Sequence, residues 1–441
     1  MQVKTKLSLF DFTMIMVSFV IGMGIFRTPV NVAAAAPNPA VFFGAWLAGG
    51  LIAICGALTY AEIGSRFPVT GGYYKIFSYA YHPSIAFGVN CIILISNAAS
   101  LAGVSLIGAE YIIRLFQPST GHAENIQIAI AFGSIVLFYG INLLGLKMSA
   151  KTQNVLTIIK ISMIVLLIAP LFFAAPPTIT IAQTTHHPEI IEYLKAFGIG
   201  LVAVSFTYGG YQQSINFGEE VANPSKNIPR AISIGIFIIV VLYLSINYAY
   251  YRVIGFDQLK SATGIAALMA EHIFGTAAGN ILSVFLFLSV LAYVNVLLMS
   301  NPRVMQAMSE EKMLPAAFAK RTKKNAVLFT SLSVFASLCA LIIFWAKTFD
   351  EILSFTIFLD CFGMVLSAAT IFKLRKRTSH LNGSGIYQMK WFPVMPVIFI
   401  TAYLFIAISI FIEKPSTGFW GIGILAAFIG IYFIINRVKS I

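Results

Sequence analysis

The groups best placed to do chemistry in this sequence are bare peptide units rather than side chains. Val17-Ser-Phe-Val-Ile-Gly-Met-Gly-Ile-Phe-Arg-Thr-Pro29 carries Gly22, Gly24 and Pro29 inside an apolar run. Each glycine costs a helix roughly 1 kcal/mol relative to alanine and admits backbone angles closed to other residues. In lipid, an unwound turn is tolerated only where its N–H and C=O groups face protein or a polar cavity. Such a turn could hold a small zwitterion by both ends. The bland alternative is a glycine pair that lets two helices pack closely, of the small-x-small kind. A second stretch, Gly198 to Gly218, has Gly209-Gly210 interrupting another apolar run, with Tyr211-Gln-Gln-Ser-Ile-Asn216 directly after. Two interrupted spans at corresponding places in two halves point to a transporter site at the bilayer midplane. Together they favour binding over packing.

Ionisable side chains inside apolar runs come next. Lys160 lies in Val155-Leu-Thr-Ile-Ile-Lys-Ile-Ser-Met-Ile164, where insertion costs at least ~2.5–3.5 kcal/mol and snorkelling is difficult. It reads as a cation fixed by covalent linkage, or else as a lysine paired with one carboxylate. Asp360, in Phe358-Leu-Asp-Cys-Phe-Gly363, could line a pathway or cap a neighbour's polar group. Glu110 with Arg114, and Glu192 with Lys195, have the spacing of local helix pairs. So do Glu62 and Arg66, at a helix end where Pro68 and Gly71-Gly72 mark a turn. His186-His187 has no carboxylate or cysteine at ligand spacing, which points to a solvated loop and no metal. There is no phosphate-cradling Gly-Lys-Ser/Thr sequence, no HExxH and no nucleophile elbow. No catalytic residue and no cofactor is therefore expected. Transport would run on gradients or on exchange, and the chain is not read as an enzyme.

The elements that must position these groups are membrane helices. Of the 441 residues, 59% are hydrophobic and only 10% charged, and apolar runs of about 20 residues, enough to cross the hydrocarbon core, recur throughout. Twelve spans are predicted, at roughly 9–35, 41–64, 84–115, 126–145, 150–174, 192–220, 230–252, 277–308, 326–346, 349–374, 391–412 and 417–436. The first and sixth are broken. The first apolar run is too long for a cleavable signal and lacks a small-residue cleavage site. Counted from a cytoplasmic N-terminus, six basic residues fall outside (Arg27, Arg114, Arg252, Lys260, Lys347 and Lys414) and Lys160 and Lys195 lie within spans. The other 21 of 29 Lys and Arg are cytoplasmic, the positive-inside bias that sets orientation. The net charge of +13 is thus topological, and no nucleic-acid partner is implied. Cys55, Cys91, Cys339 and Cys361 all fall inside spans and read as packing residues. If spans one to five and six to ten are related repeats, their odd number makes the halves inverted.

Several motifs carry a family resemblance. Val20-Ile-Gly-Met-Gly-Ile-Phe26, Tyr60-Ala-Glu-Ile-Gly64 with Pro68 and Gly71-Gly72, and Phe206-Thr-Tyr-Gly-Gly-Tyr211 with Glu219-Glu-Val-Ala-Asn-Pro224 occur in order. Ser300-Asn-Pro-Arg303 through Met313-Leu-Pro315 completes the set. They resemble the amino acid–polyamine–organocation (APC) superfamily over spans one to ten, and most closely its L-type amino acid transporters and bacterial alanine–serine–cysteine exchangers. The resemblance implies an all-α membrane protein of twelve transmembrane helices with the leucine-transporter-type 5+5 inverted repeat. Residues 1–375 would form the core, with repeats at about 9–174 and 192–374. Residues 376–441 would add a cytoplasmic linker and two accessory helices. It further implies a substrate site of Val20, Ile21, Met23, Gly24, Ile25, Phe206, Thr207, Gly209, Gln212 and Tyr243. Lys160 matches a lysine that replaces a sodium ion, with Ser289 and Tyr293 as possible partners. No external cysteine precedes span four, so no disulfide-linked accessory subunit is expected.

The resulting expectation is a sodium-independent exchanger of neutral L-amino acids in the cell membrane, both termini cytoplasmic. No acidic residue stands within either broken stretch. A basic amino acid or polyamine antiporter, with Asp360 as anionic anchor, and a proton-coupled symporter are the alternatives. A membrane sensor would want an appended signalling domain, and a channel would suit an open pore better than two broken helices closing on one site.

Overall fold

The computed structural model describes residues 6–116, 123–173, 189–262, 264–345 and 349–439. His186-His187 and Lys347 lie outside those residues, as does the side chain of Arg114. Among the described residues sixteen α-helices follow one another: α1 (Leu9–Val20), α2 (Gly24–Ala35), α3 (Pro39–Arg66), α4 (Gly72–Ala80), α5 (Pro83–Phe116), α6 (Ala123–Leu143), α7 (Leu146–Ile168), α8 (Ile190–Tyr208), α9 (Pro224–Ile254), α10 (Phe256–Ser261), α11 (Ile265–Phe274), α12 (Thr276–Glu310), α13 (Phe329–Trp345), α14 (Phe349–Arg377), α15 (Val394–Glu413) and α16 (Pro415–Lys439). Extended pairing among the described residues is confined to two isolated bridges, Leu7 with Val221 and Thr70 with Phe217.

Among the described residues, ten stretches are long and apolar enough to cross a membrane, with α1–α2 forming one of them. The apolar part of α13, Phe329–Phe344, is shorter. The 29-residue α14 carries Asp360 midway along an otherwise apolar stretch. Between the expected spans, α4, α10 and α11 add short helices to segments read from sequence as turns and connections.

Helix starts follow from local capping chemistry. Ser8 and Asp11 close a capping box at α1, Asp11 N–H donating to Ser8 Oγ at 3.1 Å. Asn38 Oδ1 accepts from Val41 N–H at 3.0 Å ahead of Pro39 at the head of α3. Glu192 closes a box with Glu189 at α8.

The broken helices occupy the centre. α1 packs against α7, α9 and α12, while α8 packs against α2, α3 and α15. Packing in lipid depends on close approach, because lipid tails are as apolar as leucine. Exposed Leu, Ile, Val and Phe side chains accordingly face outward on α6, α7, α13, α15 and α16.

Candidate functional site

The helical ladder fails first at Val20. Ile21 N–H still reaches Val17 O at 2.9 Å, but Gly22 N–H turns back to Val20 O at 2.8 Å. α2 restarts at Gly24 with Met23 at its cap and no side chain capping its first turn. Phe26 N–H donates to Met23 O at 3.1 Å. The N–H groups of Gly24 and Ile25 precede any intrahelical acceptor and sit at the positive end of the helix dipole. This is an anion-binding geometry.

The second failure faces the first. α8 ends at Tyr208, Gly209 is extended, and Gly210 takes φ 113° before a tighter helical turn over Tyr211–Asn216. Gln212 Oε1 accepts from Gly210 N–H at 2.9 Å, holding the turn open. A Cβ at Gly210 would stand 2.3 Å from the Phe19 carbonyl, so the two breaks meet backbone to backbone. A Cβ at Gly24 would stand 2.8 Å from Thr207 Oγ1, and Thr207 Oγ1 donates to Thr28 Oγ1 at 2.9 Å. Close packing at these glycines brings the open peptide groups of the two breaks together.

Between the breaks lies a cavity of about 90 Å³. Its wall includes Val20, Gly22, Met23 and Gly24 of the first break, with Phe206, Thr207, Gly209 and Gln212 of the second. It runs along α2 past Arg27 and Thr28 to Asn31. Behind the wall, Lys160 is fully buried. Its ammonium donates to the carbonyl of Ile21 and, at 3.4 Å, to Ser18 Oγ. Among the described residues no carboxylate pairs with it; the free carbonyl of the broken helix does so instead.

The sequence profile of the family described as amino acid permease matches residues 7–435. The chain belongs to that family. It is 28% identical to the serine/threonine exchanger SteT of Bacillus subtilis (strain 168), over 99% of this chain and 98% of that protein. It is 26% identical to the human cystine/glutamate transporter, covering 95% and 82%. The Asc-type amino acid transporter 1 of Mus musculus is 24% identical over 98% and 81%. The permease is thus a multi-pass membrane protein of the APC superfamily, made for transport rather than catalysis.

Not every residue singled out from sequence reaches the permease's cavity. Ile21, Ile25, Tyr243, Lys160 and Ser289 lie behind its wall. Tyr243 is buried, donates to the Val20 carbonyl at 3.1 Å and packs its ring 5.1 Å from that of Tyr208. It props the break from outside. The expected Lys160 partners lie elsewhere. Tyr293 OH pairs with Ser100 Oγ at 3.0 Å, because its ring crosses the cavity wall toward α5, and the Ser289 hydroxyl has no hydrogen-bond partner among the described residues. Lys160 points instead to α1, where the unwound turn presents an acceptor.

Several wall residues were passed over in the sequence. Asn97 and Gln213 exchange amide hydrogen bonds at 3.2 and 2.6 Å, and Asn97 also donates to Asn301 Oδ1 at 2.7 Å. Ser96, Asn97 and Ser100 in Ile95-Ser-Asn-Ala-Ala-Ser100 were the available signal, three polar groups on one turn of an apolar helix. Tyr403 and Ile406 of α15 also line the cavity. A separate chain from Ser18 through Gln153 and Asn295 to Asn142, with contacts of 2.5, 2.7 and 2.9 Å, ties α1 to α7, α12 and α6 beneath Lys160.

Two buried carboxylates stand apart from the cavity. Glu62 accepts from Arg66 Nε at 2.7 Å, from Arg375 Nη2 at 2.6 Å and from Met389 N–H at 2.9 Å. Burial, and then the charge of Glu62, push the nearby Tyr387 phenol upward. Glu220 accepts from Arg303 Nε at 2.6 Å and from Arg321 at 3.1 Å, with Arg303 over the Phe217 ring at 4.3 Å. These clusters clamp α3 to α14 and the loop after α8 to α12.

Proposed function

We propose that this permease is a sodium-independent exchanger of neutral L-amino acids, working by alternating access in the cell membrane with both termini cytoplasmic. The observation that carries the reading is the pair of facing breaks around one cavity, with a lysine ammonium on the first. The substrate carboxylate would meet the N–H groups of Met23, Gly24 and Ile25, and its ammonium the carbonyls of Val20, Phe206 and Gly209. Ile21 would be the exception among the expected contacts, because Lys160 holds its carbonyl. That covalently tethered amine stands where a mobile cation would otherwise be needed, which supports sodium independence.

Size supports a small substrate. The cavity between the breaks is about 90 Å³, on the scale of a single amino acid rather than a peptide. The broken stretches carry no acidic side chain, and one relative is named a serine/threonine exchanger. The helix order is compatible with twelve spans, the ten apolar ones plus α13 and α14, arranged as two five-span repeats with α15 and α16 outside them.

The test is counterflow in liposomes. Labelled alanine, serine or threonine should enter only when unlabelled amino acid is inside, at a rate unchanged when sodium is replaced by choline. Uptake that needs sodium, or proceeds equally into empty vesicles, would overturn the exchanger reading.

A further inference from the structure

We infer that Asp360 sets the charge on which the cavity can close: each occluded state takes up one positive charge there, from a proton or from the substrate's own side chain. The inference rests on the amino acid site proposed above and names what must enter with the zwitterion.

Asp360 lies midway along α14 and on the cavity wall. Its Oδ1 accepts from Ser96 Oγ at 3.0 Å. Ser96 stands one helical turn from Ser100 on α5, and Ser100 Oγ pairs with Tyr293 OH at 3.0 Å. The Tyr293 ring in turn comes within 3.8 Å of the place a Cβ would take on Gly22. Tyr293, Ser100 and Ser96 thus stand between the first break and this carboxylate.

The groups around Asp360 leave its charge unanswered. Tyr73 of α4, Tyr293 of α12, Tyr403 of α15 and neighbouring Cys361 are close enough to sense it, and all are neutral near pH 7. Lys160 is engaged with Ile21 and Ser18. Arg27 shares the cavity wall and has contacts of its own. Among the described residues Asp360 makes no ion pair. An open cavity hydrates such a carboxylate, whereas an occluded one strips that water away, and an unpaired charge at this depth is costly. A zwitterion brings no net charge and cannot compensate it. A proton on Asp360 would do so, and so would an ammonium or guanidinium at the end of a long substrate side chain.

The experiment uses the full chain in proteoliposomes loaded with alanine. External pH is varied for alanine exchange, and lysine and ornithine are added as competitors. If the charge is a proton, wild-type exchange should rise toward about tenfold per unit of acidification where the proton is limiting. Asp360→Asn, which mimics the protonated acid, should flatten that slope while exchange continues. If the charge belongs to the substrate, lysine or ornithine should compete in the wild type and about tenfold or more weakly in Asp360→Asn. A wild type indifferent both to pH and to cationic amino acids overturns the inference without any variant. An Asp360→Asn protein that keeps both responses overturns it as well. A wild type that exchanges no amino acid at all would instead remove the proposed function, and this inference with it.

Discussion

Lys160 and Ile21 meet where α1 ends, the ammonium donating to a carbonyl that the helix has released. The contact joins α7 to the first break and answers two problems at once. A buried ammonium needs an acceptor, and an unwound carbonyl in lipid needs a donor. Neither would be stable alone at that depth. Their pairing also leaves Ser18 as the hinge of a polar chain through Gln153 and Asn295, so motion of α1 relative to α7 and α12 must be accommodated there.

Lys160→Ala should therefore damage transport more than folding. The variant strips Ile21 O of its donor, a penalty of about 1–3 kcal/mol. It also relieves a buried charge whose insertion costs ~2.5–3.5 kcal/mol. The two effects oppose, so melting in detergent should stay close to wild type. Exchange should fall about tenfold or more, as expected when a contact of 1.4 kcal/mol or better is lost from the working cycle. Counterflow at wild-type rate in this variant would dissociate the lysine from transport.

Three glycines at the breaks, Gly22, Gly24 and Gly210, should differ sharply on substitution by alanine. Gly22 has only ordinary contacts waiting for a Cβ, the nearest being Tyr293 Cδ2 at 3.8 Å. Gly210 combines φ 113° with a Cβ position 2.3 Å from Phe19 O. Overpacking costs about 1–3 kcal/mol, and strained backbone another ~1–3 kcal/mol. Gly210→Ala should thus lose most folded protein, while Gly22→Ala should purify normally. Size-exclusion profiles and thermal melts of the two, side by side, test this ranking. Equal behaviour would mean that the backbone contact between Gly210 and Phe19 does not shape the site.

Gly24→Ala is the intermediate case, and it reports on binding. Its Cβ would press on Thr207 Oγ1 at 2.8 Å and Cγ2 at 3.0 Å, with Thr207 Cα behind at 3.2 Å. α2 must move away from α8, carrying the N–H groups of Gly24 and Ile25 with it. Thermal-shift titration with the best exchange substrate should show affinity falling about tenfold, the size of a 1.4 kcal/mol loss. Adding Thr207→Ala removes two of the three contacts and should restore part of the affinity. A double variant no better than the single would show that crowding against Thr207 is not the cause.

Much of this architecture was legible before any coordinates. Paired glycines interrupt apolar runs, and both runs do come apart, at Ile21–Met23 and at Gly209–Gly210. Lys160 announced itself by charge alone. Its partner did not, because a backbone carbonyl has no sequence signature; the hydroxyls of Ser289 and Tyr293 were visible only as residue types. Tyr243 was placed in the substrate site, whereas its hydroxyl donates to the Val20 carbonyl behind the cavity wall; which way a ring turns on its helix is a rotation the sequence does not encode. Asn97 and Gln213 escaped notice for a related reason. An amide inside a membrane helix can satisfy itself on the preceding turn, as Asn90 does on Ala86 O at 2.9 Å, and only packing shows which amides turn inward. The reach of α15 into the cavity through Tyr403 was likewise hidden, since repeat logic alone leaves that helix outside.

The Glu62 cluster gives a prediction about the shell rather than the site. Its carboxylate is fully buried and receives Arg66, Arg375 and the Met389 N–H. Removing the shared acceptor leaves two guanidinium groups together without a counter-charge, and breaking a buried pair costs about 3–5 kcal/mol. Removing Arg375 alone leaves Glu62 with Arg66 and the backbone donor, and the Arg375 side chain is 22% exposed against 1% for Arg66. Glu62→Gln should therefore melt well below Arg375→Ala, and Arg66→Ala should resemble the former. Because Arg375 also lies 3.9 Å over the Phe392 ring, its loss should loosen the segment between α14 and α15, and limited proteolysis there should accelerate. If Arg375→Ala instead proves the most damaging of the three, the clamp is held by the segment after α14 and not by the carboxylate on α3.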